Sequence, residues 1–463
     1  MGAKVFLQSL GCPKNLVDSE MMLGMIVRDG AEVVLDPAAA DVLIVNTCGF
    51  IGDAKKESID AILELARFKQ SNPAKRLLVA GCLVQRYGAE LQAALPEVDA
   101  FLGTGDFVRL PQILANGMRS DASAYGGAAH LLPDVTIPRV RTGHFFSAYL
   151  KVSEGCDHRC SFCIIPKIRG RHESRSIESV VAEAEVLAAD GVIELNLIAQ
   201  DLTAFGRDRR DGSSLSKLLR SLARVDGLRW IRLLYTYPRY VTEELLQTIA
   251  SEEKVCRYID MPLQHISDRM LQRMRRERDG AAVRRLLDRI RRRIPRVAIR
   301  TAFIVGFPGE TDADFHELLE FVREAHFERM GVFRYSKEEG TAAAGFSDQV
   351  PEAVKRQRRS ALMRVQAEIS AAANRRLIGS EQRVLVCGED ERGRLYGRFP
   401  TQAPEIDGQV YLRGDTNVGQ IVRARIVRAS PYDLQAEVSG VQQRVHTYPL
   451  TQAGNISKFP PPL

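Results

Sequence analysis

The stretch Glu154-Gly-Cys-Asp-His-Arg-Cys-Ser-Phe-Cys-Ile-Ile-Pro166 carries three cysteines at the spacing C-x3-C-x2-C. Cys156, Cys160 and Cys163, which we call the cysteine loop, can hold three irons of a 4Fe-4S cube and leave the fourth iron open to a small molecule. We therefore predict an open iron–sulfur site. A structural zinc knuckle and three unrelated buried thiols are the alternatives. Zinc needs a fourth ligand, and His158 is awkwardly placed inside the loop for a closed tetrahedron.

Three further cysteines have matching contexts although they lie far apart in the sequence. Cys12, Cys48 and Cys82, which we call the strand-end triplet, each follow a predicted strand and each have a glycine beside them. Parallel strands of an open sheet end at one edge, so these residues can converge, and glycine leaves room for a bulky inorganic group. We predict a second three-cysteine iron–sulfur site, with buried apolar thiols as the alternative. Cys256 and Cys387 lack such a context and are interpreted as core cysteines.

The composition is that of an ordinary globular protein. The 463 residues are 45% hydrophobic and 27% charged, and eight cysteines in such a length do not make a disulfide scaffold, which favours a reducing compartment. The first residues lack the apolar core of a signal peptide, and no run of 18 apolar residues exists. We expect a cytoplasmic protein with no membrane span. The net charge of +7 points weakly to anionic partners.

Alternating apolar and amphipathic segments divide the chain into three predicted domains and a tail. Residues 1–135 contain five short strand patterns with helical patterns between them, which predicts an open parallel α/β sheet. Residues 142–372 contain six strand–helix units, which predicts a partial (βα)6 barrel with the cysteine loop after its first strand, where the chemistry of such barrels lies. Residues 378–446 predict a small all-β barrel of about five strands, and residues 447–463 a Pro-rich tail.

Three strand ends of the predicted barrel carry other candidate residues. The turn that begins at Gly306 can bring the backbone close to an adenosine, although it is also an ordinary strand–turn–helix pattern. Gln200 and Asp201 follow another strand and can bind the amino and carboxylate groups of an amino-acid-like cofactor, with a capped turn as the alternative. His265 follows a third strand and is either a hydrogen-bonding group of the pocket or a structural histidine.

Arginines are crowded between Arg273 and Arg300, and a second basic run spans Lys355–Arg359. Such runs are usually solvated helix faces. The alternative is a patch for the phosphates of ribosomal or transfer RNA.

The cysteine loop, with Phe162 before its last cysteine, resembles that of the radical S-adenosylmethionine (SAM) enzymes. The order of a three-cysteine α/β domain, a radical SAM barrel and a small β-barrel is similar to that of the methylthiotransferases, whose last module is called TRAM. The runs Ser9–Glu20 and Asn46–Ile59 are similar to the branch that acts on ribosomal protein S twelve. The transfer-RNA branch has Gln-Met-Asn after its first cysteine, where this chain has Pro13-Lys-Asn15.

This resemblance implies the cofactors and the reaction. It implies SAM and two 4Fe-4S clusters, one on the cysteine loop and one on the strand-end triplet. The first reduces SAM to methionine and a 5′-deoxyadenosyl radical that abstracts hydrogen from a C–H bond, and the second delivers methylated sulfur. The product is an aspartate of ribosomal protein S twelve methylthiolated at its β-carbon, and an electron donor is a further partner. Phe162, Gln200, Asp201 and Gly306 become candidate SAM contacts.

Two other functions remain open from the sequence. One is methylthiolation of an adenosine in transfer RNA, and the other is an iron–sulfur protein that binds RNA or transfers electrons without turnover. Residues 381–446 contain nine acids and nine arginines, whereas a module that binds RNA phosphates should be basic. The neutral balance favours docking on a basic protein. Because the barrel lies upstream, removal of Glu381–Leu463 is expected to leave cofactor cleavage largely intact.

Overall fold

The computed structural model describes residues 2–116, 123–125, 127, 132–276 and 279–443. The predicted tail at 447–463, the last residues of the predicted TRAM domain and Arg278 of the arginine-rich stretch lie outside the described residues. None of the described helices has both the length and the apolar character needed to cross a membrane.

The N-terminal part is a five-stranded sheet with all neighbouring strands parallel, in the order β2-β1-β3-β4-β5. The central strand β3 is buried along its whole length, because helices cover both faces of a parallel sheet. The five predicted strands are therefore confirmed. The elements are β1 (Lys4–Ser9), α1 (Pro13–Arg28), β2 (Glu32–Val33), β3 (Val42–Thr47), α2 (Gly52–Ser71), β4 (Arg76–Gly81), α3 (Cys82–Ala94), β5 (Ala100–Leu102) and α4 (Leu110–Ala115).

The central part begins with β6 and a short two-stranded sheet around the cysteine loop, and then alternates strands with helices. Its main sheet has the order β13-β12-β11-β10-β9-β6, with parallel neighbours throughout, which confirms the partial (βα)6 barrel. The elements are β6 (Ser147–Lys151), β7 (Ser153–Glu154), α5 (Ile165–Arg169), β8 (Glu173–Ser174), α6 (Ile177–Ala189), β9 (Glu194–Ile198), α7 (Leu215–Ala223), β10 (Trp230–Leu233), α8 (Glu243–Ser251), β11 (Val255–Asp260), α9 (Asp268–Arg273), α10 (Gly280–Arg293), β12 (Ala298–Val305), α11 (Asp312–Ala325), β13 (Arg329–Arg334) and α12 (Glu352–Arg375).

The C-terminal part is a closed barrel of five strands in the order β14-β15-β16-β18-β17, as predicted. Alternate residues of these strands, such as Val384 and Val386, point into a small apolar core of their own. The strands are β14 (Glu381–Glu389), β15 (Leu395–Arg398), β16 (Val410–Arg413), β17 (Ile421–Ala429) and β18 (Leu434–Gln443).

Buried charges join the small barrel to the large one. Arg232 on β10 donates a 3.0 Å hydrogen bond to Glu194 on β9, and Arg398 on β15 pairs with the other oxygen of the same carboxylate. Tyr258 on β11 donates to Asp407 at 2.8 Å, and the Asp407 side chain is 1% exposed. The small barrel is thus docked through groups that need their partners, because an unpaired buried charge is costly.

This docking changes the meaning of the charge count in the small barrel. Asp407 and Arg398 both lie in the internal interface and do not face a partner. In the turn between β14 and β15, Asp390 accepts a 2.7 Å hydrogen bond from Arg394. The net charge of the module is therefore a weaker guide to its partner than the sequence suggested.

Candidate functional site

The strand-end triplet lies at one edge of the N-terminal sheet. Cys12 precedes α1, Cys48 follows β3, and Cys82 is the first residue of α3, directly after β4. The strands β1, β3 and β4 are neighbours in the sheet, so their carboxyl ends bring the three thiols together. A Cβ at Gly11 would lie 2.7 Å from the Cys48 Cβ, and one at Gly49 would lie 2.7 Å from the Cys82 carbonyl oxygen. Only glycine permits this close approach of the three loops.

Asn15 ties the ends of these strands together. Its side-chain amide donates to the carbonyl oxygens of Leu10 at 3.0 Å and Thr47 at 2.8 Å, which lie next to two of the cysteines. Its Oδ1 atom lies 3.6 Å from the Cys82 sulfur. Sequence reasoning missed this role. The only signal in the sequence was a polar side chain three residues after Cys12, in the first turn of a helix that also buries Asp18 and Ser19.

The electrostatics of the triplet suit an inorganic core with positive charge. Burial, together with the charges of Cys82 and Cys12, raises the pKa of Cys48 to about 12. Burial also raises the pKa of Cys82. At Cys12 burial opposes ionisation as well, but the cations Lys14 and Arg169 outweigh it and lower the pKa. The three sulfurs therefore interact electrostatically, and bound metal would stabilise the thiolate form of each.

The cysteine loop follows β7 at the carboxyl end of the first barrel strand. Burial raises the pKa of Cys156 and of Cys163 to about 12, and Cys160 acts on both through its charge. The backbone of the loop is fixed, because the amide of Cys156 donates to the Gly170 carbonyl and the amide of Ser161 donates to the Met274 carbonyl. The three sulfurs are held on one rigid turn.

Neither cysteine set has the geometry of a site for a single metal ion. Within the described ranges, no group of three or more His, Cys, Asp or Glu side chains is arranged so that it could hold one metal ion. The donor sets nevertheless consist of three interacting thiols, the ligand type of iron–sulfur clusters. Three thiolate ligands with one open iron suit a 4Fe-4S cluster, whereas a structural zinc site needs four ligands.

His158 is engaged away from the cysteines. Its Nε2 atom is hydrogen-bonded to Asp201 at 2.7 Å, and its ring stacks on Tyr237 with centroids 3.7 Å apart. The other oxygen of Asp201 accepts hydrogen bonds from the amide and the hydroxyl of Thr203 at 2.9 and 2.6 Å. The capped turn predicted as the alternative for Asp201 is thus present, and this carboxylate also orients the histidine of the cysteine loop.

Gln200 presents an unused acceptor next to the cysteine loop. Its amide donates to Glu154, the residue two positions before Cys156. Its Oε1 atom is buried and has no hydrogen-bond partner among the described residues. Such a buried acceptor can be satisfied by a donor from outside the chain, either water or a ligand. An ammonium group, such as the one the sequence analysis assigned to this position, fits that requirement.

The remaining candidates have different surroundings. The Gly306 amide donates to Glu310 within the turn, and a Cβ there would overlap the Lys355 side chain. The glycine is thus needed for packing inside the chain, and its amide is already used. Phe162 packs against an apolar cluster that includes Phe307. His265 is fully buried, with its two ring nitrogens bonded to Glu310 and the Ser267 amide, as expected for a structural histidine.

The two cysteine sets lie on the same interface between the sheet and the barrel. Cys82 packs against Ile164 and Ile168, and Ile164 directly follows Cys163. Arg169, at the end of α5, donates a hydrogen bond to the Cys82 sulfur at 3.2 Å. Residues more than 80 positions apart in the sequence thus bring the two sets side by side.

Two cations and two carboxylates surround this contact. Lys151 on β6 pairs with Asp18 on α1 and with Glu154 at 2.7 Å, and Arg169 donates to Asp18 at 2.7 Å. Burial opposes ionisation of Glu154, but Lys151 and Arg169 outweigh it and lower its pKa to about 2. This network was not predictable from the sequence, because Asp18, the pair Lys151 and Glu154, and Arg169 come from three separate regions of the chain.

Three family models match separate parts of the chain. The uncharacterized protein family UPF0004 matches residues 4–103, the radical SAM superfamily matches residues 150–322, and the TRAM domain matches residues 378–438.

Curated relatives match nearly the whole chain. The ribosomal protein uS12 methylthiotransferase RimO of Syntrophotalea carbinolica is 52% identical over 439 residues, which cover 94% of this chain and 96% of that protein. The protein of the same name from Geobacter sulfurreducens is also 52% identical, with 94% and 98% covered.

Solved structures match more distantly. The radical S-adenosylmethionine methyltransferase TsrM from Kitasatospora setae, with cobalamin and a [4Fe-4S] cluster bound, has a TM-score of 0.52 at 17% identity and covers 72% of this chain and 75% of that chain. OxsB, a cobalamin-dependent S-adenosylmethionine radical enzyme, has a TM-score of 0.50 at 11% identity, with 78% and 56% covered. At such identities the likeness shows the fold alone.

Proposed function

The chain belongs to the ribosomal protein uS12 methylthiotransferase family of radical SAM enzymes, and from this membership we propose that it adds a methylthio group to the β-carbon of an aspartate in uS12. The reaction uses SAM and an iron–sulfur cluster. Relatives at about half identity across 94% of the chain carry the uS12 name, which favours this substrate over transfer RNA.

The observation that carries the proposal is the adjacency of the two cysteine sets. The Cys82 sulfur accepts a hydrogen bond from Arg169, and Cys82 packs on the residue that follows Cys163. Sulfur insertion requires that a carbon made reactive at one site meet sulfur held at another, without diffusion through water. Two sites that share one buried interface satisfy this requirement.

We assign one 4Fe-4S cluster to the cysteine loop and a second to the strand-end triplet. When bound, the first supplies the electron that cleaves SAM and so yields the hydrogen-abstracting fragment, and the second supplies sulfur. The chain contributes binding and orientation. The Gln200 Oε1 atom would accept a hydrogen bond from the SAM ammonium, Asp201 orients His158 of the loop, and Phe162 with its apolar neighbours would keep water from the bound group.

The function is tested by the mass of the substrate. The reconstituted enzyme with reductant and SAM should increase the mass of uS12 by one methylthio group and leave transfer RNA unchanged. A mass increase in transfer RNA alone would reverse the choice of substrate. An iron–sulfur protein without turnover would produce no 5′-deoxyadenosine under these conditions.

The two-cluster assignment is tested by iron content and by uncoupled turnover. A variant with Cys156, Cys160 and Cys163 all replaced by Ala should retain about four irons per chain. Cys48→Ala should still cleave SAM but fail to transfer the methylthio group, whereas Cys156→Ala should abolish cleavage. Full product from Cys48→Ala would show that sulfur does not pass through the N-terminal sheet.

An RNA contact through the arginine-rich stretch 273–300 is a further part of the proposal. Several of these arginines serve the fold, as Arg284 does with Glu324 and Arg300 with Asp260. On α10, Arg285, Arg289 and Arg292 line a surface groove of about 410 Å³ together with Asp288, and Arg289 also donates to the Val241 carbonyl. Their spacing places them on one helix face, where they can bind ribosomal RNA phosphates.

Charge reversal on α10 tests this contact. Arg285→Glu/Arg292→Glu should weaken binding of the small ribosomal subunit and make the binding less dependent on salt, because phosphate contacts release counterions. Arg364→Glu/Arg375→Glu, on the exposed side of α12, is the matched control with the same change in net charge. Equal weakening by both variants would mean that only the total charge matters.

The domain limits, the compartment and the reductant complete the proposal. The limits are 1–135, 142–372 and 378–446, with a tail at 447–463. All eight cysteines are free thiols, as expected for a chain in the reducing cytoplasm. An external one-electron donor must reduce the cluster on the cysteine loop, since no side chain of the protein can supply that electron repeatedly.

A further inference from the structure

Arg169 stands between the two cysteine sets with its guanidinium fully engaged. One terminal nitrogen donates to the Cys82 sulfur at 3.2 Å and to Asn15 Oδ1 at 2.6 Å. The other terminal nitrogen donates to Asp18 at 2.7 Å and reaches Glu154 at 3.3 Å. The side chain is 3% exposed, so solvent does not screen its charge.

The surrounding charges leave Arg169 little freedom to move. Lys151 pairs with the same two carboxylates, Asp18 and Glu154, so two cations and two anions form a closed, neutral set. The planar fork of arginine binds this set on one side and the sulfur on the other, a geometry that a lysine ammonium cannot reproduce. The hydrogen bond to Cys82 is therefore positioned by the fold.

We propose that Arg169 is a positioning residue for the cluster on the strand-end triplet, which holds the Cys82 thiolate as a ligand and raises the reduction potential of that cluster. Hydrogen bonds to ligand sulfurs and nearby positive charge favour the reduced, more negative form of an iron–sulfur cluster. This inference rests on the proposed second cluster.

The position of Arg169 in the chain adds a second consequence. Arg169 ends the short helix α5, which begins two residues after Cys163. It therefore links the backbone of the cysteine loop to a ligand sulfur of the other set. Loss of the hydrogen bond between Arg169 and Cys82 should make the distance between the two cysteine sets less well defined. It should also shift the reduction potential of the cluster on the strand-end triplet.

Arg86 provides a matched control for a purely structural role. It also bridges the sheet and the barrel, with Nη1 donating to Glu338 at 2.9 Å and to the Gly49 carbonyl at 2.8 Å. Its side chain is 6% exposed, but its hydrogen bonds go to oxygens and not to a sulfur. Replacing Arg86 breaks a buried ion pair between the sheet and the barrel, but it does not remove a positive charge that is hydrogen-bonded to a ligand sulfur.

The experiment uses the full-length chain with Cys156, Cys160 and Cys163 replaced by Ala, so that the second cluster is observed alone. Arg169→Met, Arg169→Lys and Arg86→Met are introduced into this parent. Iron per chain and the midpoint potential, from a redox titration followed by electron paramagnetic resonance, are measured for each. We expect a more negative potential in Arg169→Met, a smaller shift in Arg169→Lys, and the parent value in Arg86→Met.

Each outcome decides between the alternatives. Loss of iron from Arg169→Met with full iron in Arg86→Met also supports the proposal, because the ligand is then no longer held. Equal iron loss in both variants, or an unchanged potential in an Arg169→Met protein that keeps its iron, overturns it. A parent without iron rejects the second cluster itself, and with it the proposed function of the strand-end triplet.

Discussion

Glu194→Gln removes the charge that the two arginines at the interface of the large and small barrels share. In the native chain Arg232 on β10 and Arg398 on β15 each bind one oxygen of this carboxylate, and the Glu194 side chain is completely buried. The glutamine keeps the shape but has only one oxygen to accept a hydrogen bond. Two guanidinium groups would then remain buried without a counter-charge.

The expected loss of stability follows from the pKa of Glu194. Burial opposes ionisation, but Arg398 and Arg232 outweigh it and lower the pKa from 4.5 to about 2. At 1.36 kcal/mol for each pH unit, the net stabilisation of the charged form is roughly 3 kcal/mol, which agrees with the ~3–5 kcal/mol cost of breaking a buried pair. Because the folded pKa is depressed, this contribution is present above pH 4.5 and is lost as the pH falls toward 2.

The assay is urea unfolding at pH 7 followed by the fluorescence of Trp230, the single tryptophan of the chain. Trp230 pairs in register with Glu194 across β9 and β10, so its signal reports the barrel directly. The control is Glu324→Gln, which breaks the surface pair with Arg284. Glu324 is 63% exposed, so its loss should cost less than about 1 kcal/mol. If Glu194→Gln destabilised the barrel no more than this control, the docking argument would be wrong.

Three further changes have defined outcomes. Gly11→Ala forces a Cβ against Cys48 and should lower the iron content. The control is Gly30→Ala, which also has a positive φ but open space around it and should only lower the melting temperature slightly. Equal iron loss in both variants would contradict the steric argument. Removal of residues 378–463 should destabilise the large barrel by about 3 kcal/mol or more, because it takes Arg398 away from Glu194, and an unchanged tryptophan unfolding curve would refute this. Gln200→Leu should raise the Kd for SAM about fivefold to tenfold, since one hydrogen bond is worth ~1 kcal/mol. The control Gln366→Leu on α12 should leave this Kd unchanged. Both are measured by equilibrium dialysis.

The element pattern followed from the sequence because its signals are local. The sequence pattern predicts strands at Lys4–Leu10, Val42–Asn46 and Ala298–Val305. In the structure β1, β3 and β12 begin at these same residues. A buried parallel strand is a short continuous apolar run, so its residues identify it without their neighbours. The order of the three folds could also be read from the order of these patterns along the chain. The family could be read as well, because C-x3-C-x2-C is a local motif.

The roles of individual polar residues were less accessible. The sequence suggested Gly306 and Asp201 as cofactor contacts, but the structure uses the Gly306 amide for Glu310 and the Asp201 carboxylate for His158 and its own turn. A polar residue at a strand end has the same sequence signature whether it faces a ligand or caps a turn. The structure adds which atoms are already bonded within the chain, and it leaves the Gln200 Oε1 atom without a partner among the described residues.

The sequence by itself determined the three folds, the two cysteine sets and the chemistry that three thiolates permit. Only the tertiary structure decided that the sets adjoin, that Arg169 bonds the Cys82 sulfur, and that Glu194 holds the small barrel in place. The physical reason is that polar contacts between residues far apart in the chain leave no periodic pattern in the sequence. Arg169 and Cys82 are 87 positions apart, and Arg398 and Glu194 are 204 positions apart. Burial makes such contacts strong, and burial itself exists only after the sheet and the barrels have packed together.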